Sequence, residues 1–295
     1  MEQRTFTDTD GVEVATRWWL VEDPKALVLI SHGASEHSGR YGRFAGALNA
    51  AGYAAVALDH RGHGLTSPSS GSGVIGPGGG GALVADLDRL RADALAEVGA
   101  SAPVVLFGHS LGSLIGLTYL VEHSEQLAAG VLCGFPVDPG GVAELGAMLS
   151  GLGEEMRGES AAALLADFNS AFEPARTPFD WLSRDSAEVD AYIADPLCGA
   201  EHPLTFGYYM DLFDTVAPAV ERLGSISCPC LVIACDKDPA AAMGANASAI
   251  AAALGDAGVT TDLRLYEGAR HELLNETNRD EVTADVIAWI DTRLG

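Results

Sequence analysis

The 295-residue sequence predicts an α/β fold, in which a mostly parallel central sheet is flanked by helices and carries a helical insertion. Short β-rich runs alternate with helix-periodic stretches along most of the chain. The runs at 26–31, 53–58 and 104–107 are apolar throughout, which is typical of strands covered on both faces. A glycine-flanked serine joins the last of these runs to a helical stretch, so a sharp strand-to-helix turn is expected there.

The predicted strands and helices cover most of the chain outside the insertion. Asp10-Gly11 favours a turn between strands at 3–8 and 12–20. Further strands are predicted at 26–31, 53–58, 104–107, 130–134, 230–235 and 262–266. Helices are predicted at 40–51, 82–98, 111–123 and 279–293, and the last of them places Val282, Val286, Trp289 and Ile290 on one face.

The segment 136–203 interrupts this alternation. It holds amphipathic helical pieces at 142–152, 160–168 and 187–193, and the prolines at 174, 178 and 196 separate short segments. We therefore predict a core of residues 1–135 and 204–295, with 136–203 as a cap over the sheet edge where open α/β folds bind ligands. The alternative is a helical excursion that takes no part in the site.

Composition and charge exclude several classes of partner. The chain is 48% hydrophobic and 20% charged, as expected of a globular protein, and its net charge of −24 repels nucleic acid and anionic membrane surfaces. Its longest apolar runs have the length of a strand and are too short for an integral membrane segment. The first residues lack the apolar core of a signal peptide, so we expect a cytoplasmic protein.

The cysteine and glycine patterns point to neither a metal nor a cofactor. Five cysteines are an odd number, and Cys228-Pro-Cys230 has the wrong spacing for a Cys-x-x-Cys site. The Gly-x-Gly-x-x-Gly match at 71–76 follows Pro-Ser-Ser rather than a strand, so it predicts a flexible loop rather than a dinucleotide site. We expect no disulfide framework, no bound metal and no cofactor.

The pentapeptide Gly108-His109-Ser110-Leu111-Gly112 is the strongest functional signal in the chain. It has the pattern of a nucleophile elbow, in which a serine sits between a strand and a helix. Glycines flank the turn because side chains there would crowd the neighbouring strand and helix. The Ser110 hydroxyl would lie at the positive end of that helix, where developing negative charge is stabilised.

A serine nucleophile needs a base and an acid, and beyond such an elbow they follow in the order acid, then histidine. Of the eight histidines, His271 alone follows the last predicted strand, and we assign it as the base. Asp238 follows the strand at 230–235, with Pro239 rigidifying the chain beyond it, and we assign it as the acid. Asp236 and, more remotely, Asp138 remain alternatives.

The oxyanion of a tetrahedral intermediate requires two converging backbone N–H donors. We expect one from Leu111, directly after the nucleophile at the helix N-terminus. The second is expected from the loop after the strand at 26–31, where we choose the N–H of Ala34. Both donors are main-chain groups, so these assignments fix positions rather than side-chain chemistry.

Four blocks in this order, at 32–41, 59–64, 108–112 and 269–276, resemble the monoglyceride lipase and lysophospholipase branch of the α/β-hydrolases, which overlaps the serine aminopeptidase S33 grouping. The resemblance implies the α/β-hydrolase fold and the same triad and oxyanion donors. It also implies that Glu36 and Arg40 lie near a glycerol head group. Their alternative role is an i, i+4 ion pair that stiffens a loop.

This chain departs from the mammalian lipases at two positions. Leu274 stands where those lipases carry a second histidine, and Cys235 replaces the glycine usual before the acid loop. We therefore expect a serine hydrolase of carboxylic esters, acting on monoacylglycerols, lysolipids or similar single-acyl esters as small-molecule partners. An acyltransferase or a small-peptide or amide hydrolase would use the same triad, whereas a non-enzymatic receptor would not need it.

Overall fold

The computed structural model describes residues 1–294, and within them eight strands form one sheet. The strands are β1 (Glu2–Thr7), β2 (Glu13–Trp19), β3 (Leu27–Ser31), β4 (Ala54–Leu58), β5 (Val104–His109), β6 (Ala129–Cys133), β7 (Cys230–Cys235) and β8 (Thr261–Tyr266). Their order across the sheet is β1-β2-β4-β3-β5-β6-β7-β8. Strand β2 pairs antiparallel with both β1 and β4. The other neighbouring pairs, from β4 through β3 and β5 to β8, are parallel. The predicted fold class is confirmed, with strand ends shifted by at most two residues.

Helices cover both faces of the sheet. They are α1 (Gly42–Ala50), α2 (Ser67–Ser70), α3 (Gly79–Val98), α4 (Leu111–His123), α5 (Pro139–Ser150), α6 (Ser186–Ala194), α7 (Phe206–Val220), α8 (Ala245–Asp256) and α9 (Arg279–Leu294). One apolar layer packs α3, α4, α7 and α8 against the sheet, and the other packs α1 and α9 on its opposite face. Because both faces are covered, the central strands are apolar along their whole length.

The insertion is less helical than the sequence predicts. Helices α5 and α6 lie close to two of the predicted pieces, but the piece at 160–168 is replaced by 3₁₀ turns at Ala162–Leu165 and Phe168–Phe172. The physical reason is a backbone pairing between Ser160 and Thr205, which holds the chain extended where a helix would begin. The division into a core and a cap at 136–203 stays a prediction.

Two further features concern helix length and position. Helices α2, α7 and α8 have no counterpart among the predicted helices. Helix α7 carries Pro218 inside its last turn, where a proline argues against helix from sequence alone. None of the helices in residues 1–294 combines the length and apolarity needed to span a bilayer.

Candidate active site

Ser110 occupies the turn between β5 and α4 in a strained backbone conformation. Its φ of 52° and ψ of −119° are uncommon for a residue with a side chain. The turn is held because the Ser110 N–H donates to the Cys133 carbonyl at 2.8 Å. The hydroxyl is therefore presented at the carboxyl edge of the sheet, above the first turn of α4.

Two glycines permit this turn. A Cβ at Gly112 would lie 2.1 Å from the Ser31 carbonyl oxygen, and one at Gly108 would lie 2.4 Å from the Gly112 carbonyl oxygen. Both contacts are with main chain of neighbouring elements, which cannot move aside cheaply. The Gly-x-Ser-x-Gly spacing thus follows from the close approach of α4 to β3 and β5.

Ser110, His271 and Asp238 form one hydrogen-bonded line. The His271 Nε2 lies 2.9 Å from the Ser110 Oγ, and its Nδ1 lies 2.8 Å from the Asp238 Oδ2. The histidine follows β8 and the aspartate follows β7, so adjacent parallel strands deliver both side chains to the elbow. Asp238 is fully buried, and its other oxygen accepts the N–H groups of Ala240 and Ala241 at 2.9 and 3.3 Å.

The two alternative acids are bound elsewhere. The Oδ1 of Asp236 accepts the N–H of Gly268 at 2.6 Å, which closes the loop after β8. Asp138 caps α5, where its Oδ1 accepts the N–H of Gly141 at 3.0 Å. Neither carboxylate reaches His271 through a hydrogen bond in residues 1–294, so the geometry favours Asp238.

Ala34 and Leu111 line the same cavity as Ser110. The N–H of Leu111 belongs to the first turn of α4, whose amides have no acceptor within the helix. Ala34 follows Gly33, where a Cβ would lie 3.3 Å from the Ser110 Cβ. The loop after β3 therefore runs directly beside the nucleophile candidate, as an oxyanion site requires.

Glu36 and Arg40 form the predicted ion pair, with the Arg40 Nη1 2.8 Å from the Glu36 Oε2. The pair is part of a larger buried network. Glu36 also accepts the Gly33 N–H at 2.6 Å and the Tyr41 hydroxyl at 2.8 Å, and Arg40 binds Glu272 through two nitrogens. Glu36 lines the cavity, whereas Arg40 lies behind it, so the structural alternative is observed and the head-group role stays a prediction.

His109, the second residue of the elbow, connects this network to the line of Ser110, His271 and Asp238. Its Nδ1 lies 3.4 Å from the Glu36 Oε1, and its Nε2 lies 3.3 Å from the His271 carbonyl oxygen. Burial lowers the pKa of His109, but the Glu36 carboxylate outweighs it and raises that pKa overall. Burial likewise raises the pKa of Glu36, yet the His109 hydrogen bond and the Arg40 charge hold it well below its usual range.

The elbow opens into an apolar cavity of about 500 Å³. Residues of the sheet edge form its floor, among them Gly33, Ala34, Ser110, Leu111 and His271. Apolar side chains of the insertion form its walls, including Leu145, Leu149, Leu164, Leu165, Phe168 and Trp181. The arrangement would place an apolar chain above a reactive hydroxyl.

His37, Asp195 and Cys198 are the one group within residues 1–294 whose ligand atoms lie close enough to hold a metal. Its hydrogen bonds argue against that use. The His37 Nδ1 accepts the Gly39 N–H at 3.1 Å, so the ring proton sits on Nε2 and faces the Asp195 Oδ2 at 3.0 Å. A metal-ligating histidine has its other nitrogen protonated instead.

Comparison with known proteins places this geometry in a family. Residues 22–278 match the family model described as serine aminopeptidase, S33. A monoacylglycerol lipase of Mycolicibacterium smegmatis is 30% identical over 99% of this chain and 98% of its own length. The human monoglyceride lipase is 28% identical over 98% of this chain and 90% of its own length.

Solved structures agree with the sequence matches. A thermostable carboxyl esterase from Bacillus coagulans, solved in complex with glycerol, superposes with a TM-score of 0.89 at 27% identity, covering 100% of this chain and 99% of the esterase. The resemblance drawn from the four sequence blocks is thereby confirmed. The chain belongs to the serine aminopeptidase S33 family of α/β-hydrolases.

Proposed function

We propose that this chain is a serine hydrolase that cleaves carboxylic esters through an acyl-enzyme on Ser110. The observation that carries the proposal is the hydrogen-bonded line of Ser110, His271 and Asp238 beneath an apolar cavity. Relatives named as monoacylglycerol lipases, and a structural neighbour named as a carboxyl esterase, support ester hydrolysis as the reaction.

Acylation begins when the Ser110 Oγ attacks the ester carbonyl carbon and its proton passes to the His271 Nε2. The carbonyl oxygen becomes an oxyanion, and the N–H groups of Ala34 and Leu111 donate to it. The oxyanion then re-forms the carbonyl and the bond to the alcohol oxygen breaks. The proton on Nε2 moves to that oxygen, so the alcohol leaves neutral.

Deacylation repeats these steps with water as the nucleophile. His271 takes a proton from water as its oxygen attacks the acyl carbonyl, and the proton returns to the Ser110 Oγ as the acid is released. Asp238 accepts the Nδ1 proton throughout, which keeps Nε2 free for the serine and stabilises the imidazolium. Because two backbone N–H groups also donate to Asp238, its carboxylate is held in one orientation.

The shape and charge of the site favour a single-acyl, electrically neutral or weakly charged ester. The cavity walls supplied by residues 136–203 are apolar, which suits an acyl chain, and we propose that this segment acts as the cap. The net charge of −24 disfavours polyanionic substrates. Monoacylglycerols are the substrates that the names of the relatives suggest, and lysolipids fit the same description. The cytoplasmic location expected from the sequence stays a prediction.

A labelling and hydrolysis experiment tests the proposal. A fluorophosphonate probe should label the folded wild-type protein and leave Ser110→Ala unlabelled. A panel of p-nitrophenyl esters from acetate to palmitate, with monoolein and lysophosphatidylcholine, should show turnover that Ser110→Ala abolishes. Turnover retained in Ser110→Ala, or a folded wild type that neither reacts with the probe nor hydrolyses any ester, would overturn the proposed mechanism.

A further inference from the structure

Trp181 lies in the insertion, yet its ring contacts the imidazole of His271. The two ring centroids are 5.0 Å apart, and the rings are tilted at an interplanar angle of 40°, so they are within the distance of an aromatic contact. Trp181 is only 9% exposed, so the contact is shielded from water. An aromatic ring from a separate segment thus lies against the histidine on which the proposed reaction depends.

The main chain of the insertion also pairs with the histidine loop. The His271 N–H donates to the Trp181 carbonyl at 3.4 Å, and the Glu272 N–H donates to the Leu182 carbonyl at 2.8 Å. Two consecutive residues of each segment therefore face one another. The distance between the two rings is set by this pairing as well as by their own contact.

Several contacts hold Trp181 itself in place. Its backbone N–H donates to the Asn169 Oδ1 at 3.0 Å, and the Phe168 ring packs against the indole with centroids 5.1 Å apart. Further along, the Arg184 guanidinium binds the buried Glu276 carboxylate at 2.8 Å, and Glu276 also accepts the Arg270 N–H at 2.9 Å. The indole is thus fixed relative to the loop that carries His271.

We propose that Trp181 is a positioning residue for His271, which holds the imidazole in line with Ser110 and Asp238 and stabilises the imidazolium that forms on it. This inference rests on the proposed function. The imidazole gains positive charge when it takes the Ser110 proton, and an indole face is the strongest aromatic partner for a cation. The contact is stronger in the transition state than in the ground state, so it raises kcat rather than lowering KM.

The test compares Trp181→Leu and Trp181→Phe with Phe172→Leu, using p-nitrophenyl butyrate as the substrate. Phe172 is a matched control, because it is an aromatic residue of the insertion that packs on Arg270, next to His271, without contacting the imidazole. We expect Trp181→Leu to lower kcat roughly 3- to 30-fold with KM unchanged, the range of a shielded cation–π contact. Trp181→Phe should keep most of the kcat, and Phe172→Leu should match the wild type.

Other patterns would overturn the inference. A rise in KM with kcat unchanged would reduce the role of Trp181 to lining the cavity. An equal fall of kcat in Phe172→Leu would make the role of Trp181 one of anchoring the insertion. An unchanged kcat in folded Trp181→Leu would remove the role altogether. The wild type and Ser110→Ala are measured alongside: an inactive wild type or an active Ser110→Ala overturns the proposed function and this inference with it, whereas the patterns above overturn the inference alone.

A second measurement keeps the test valid if Trp181→Leu does not fold. A protonated imidazole quenches an indole in contact with it, so acidification should quench part of the tryptophan emission of the wild type in a step. Asp238 and His109 face His271 from the neighbouring elements, with Glu36 behind His109, and all of them remain in His271→Gln. The step should be lost in folded His271→Gln. A step that persists in this variant would show that a group other than His271 quenches the emission, which would overturn the inference.

Discussion

The Glu36 carboxylate accepts the backbone N–H of Gly33 at 2.6 Å, directly below the loop that carries the expected oxyanion donor Ala34. Because Gly33 and Ala34 are consecutive, the position of Ala34 depends on this bond. The same carboxylate is tied to Arg40 and Tyr41, so the loop is fixed to a buried charged network rather than to apolar packing. Glu36 therefore links the stability of this network to the position of the expected oxyanion donor.

We predict that Glu36→Gln destabilises the protein by about 1–3 kcal/mol, because an amide NH₂ group would face the Arg40 guanidinium in place of an acceptor. It should also lower kcat by less than the roughly 10²-fold expected from losing an oxyanion donor outright. Urea unfolding and ester hydrolysis measure the two effects. Glu188→Gln is the control, since Glu188 pairs with the exposed Arg43 and should change stability by less than about 1 kcal/mol. Equal losses of stability and of kcat in the two variants would show that Glu36 contributes no more than an exposed ion pair.

Asp238→Asn should lower kcat by roughly 10³- to 10⁴-fold, because an asparagine cannot hold the His271 tautomer that leaves Nε2 free for Ser110. Asp236→Asn is the matched control two residues away, where the bond to the Gly268 N–H and an exposed ion pair with Lys237 are affected. It should retain kcat within about tenfold, provided that the loop keeps its shape. Steady-state kinetics decide between the two carboxylates, and a larger loss in Asp236→Asn would reassign the acid.

The elbow glycines should tolerate no side chain. Gly112→Ala would place a Cβ 2.1 Å from the Ser31 carbonyl oxygen, so we expect loss of the folded state or more than about 4 kcal/mol of destabilisation. Gly46→Ala is the control, because a Cβ there has no heavy atom within 4 Å and the residue lies in α1. That substitution should stabilise the protein by about 0.5–1 kcal/mol. Thermal unfolding measures the stability of both variants. Unfolding of Gly112→Ala at the wild-type temperature would contradict the prediction.

The positions of Ser110, Asp238 and His271 were predictable because each follows a strand, and parallel strands bring their carboxyl ends to one edge. The elbow spacing was predictable because the turn excludes side chains. Helix α7 was not, since it contains Pro218, and a proline beyond the first turn of a helix removes a backbone hydrogen bond.

The network around the site could not be predicted in the same way. Arg40 binds Glu272, a residue 232 positions later in the chain, and no local pattern encodes such a pairing. His109 stands in the variable position of the elbow, where the motif itself carries no information about its partners. Trp181 lies between the predicted helical pieces at 160–168 and 187–193, and its contact with His271 depends on how that stretch folds back onto the loop after β8.

A charged cluster that does not line the cavity gives a prediction on stability. The Arg61 guanidinium is bound by Asp8, Asp10 and Asp86, and Asp86 contacts its Nε at 2.9 Å. Burial raises the pKa of Asp86 to about 6, and the nearby carboxylates of Asp8 and Asp10 add to this against the lowering effect of Arg61. One guanidinium therefore faces more negative charge than it can neutralise.

The raised pKa fixes the sign of the effect of pH. The folded protein binds the Asp86 proton more tightly than the unfolded chain, whose value is about 3.9, so this contribution to stability is complete below pH ~4 and is lost as the pH rises to about 6. Asp86→Asn keeps the shape and an acceptor for Arg61 without titrating. We expect its stability relative to the wild type to rise by at most roughly 3 kcal/mol between pH 4 and pH 7. Urea unfolding across that range measures the difference, with Asp93→Asn on the same helix expected to stay within about 1 kcal/mol. A relative stability of Asp86→Asn that is flat or falling with pH would show that Asp86 is charged in the folded protein throughout this range.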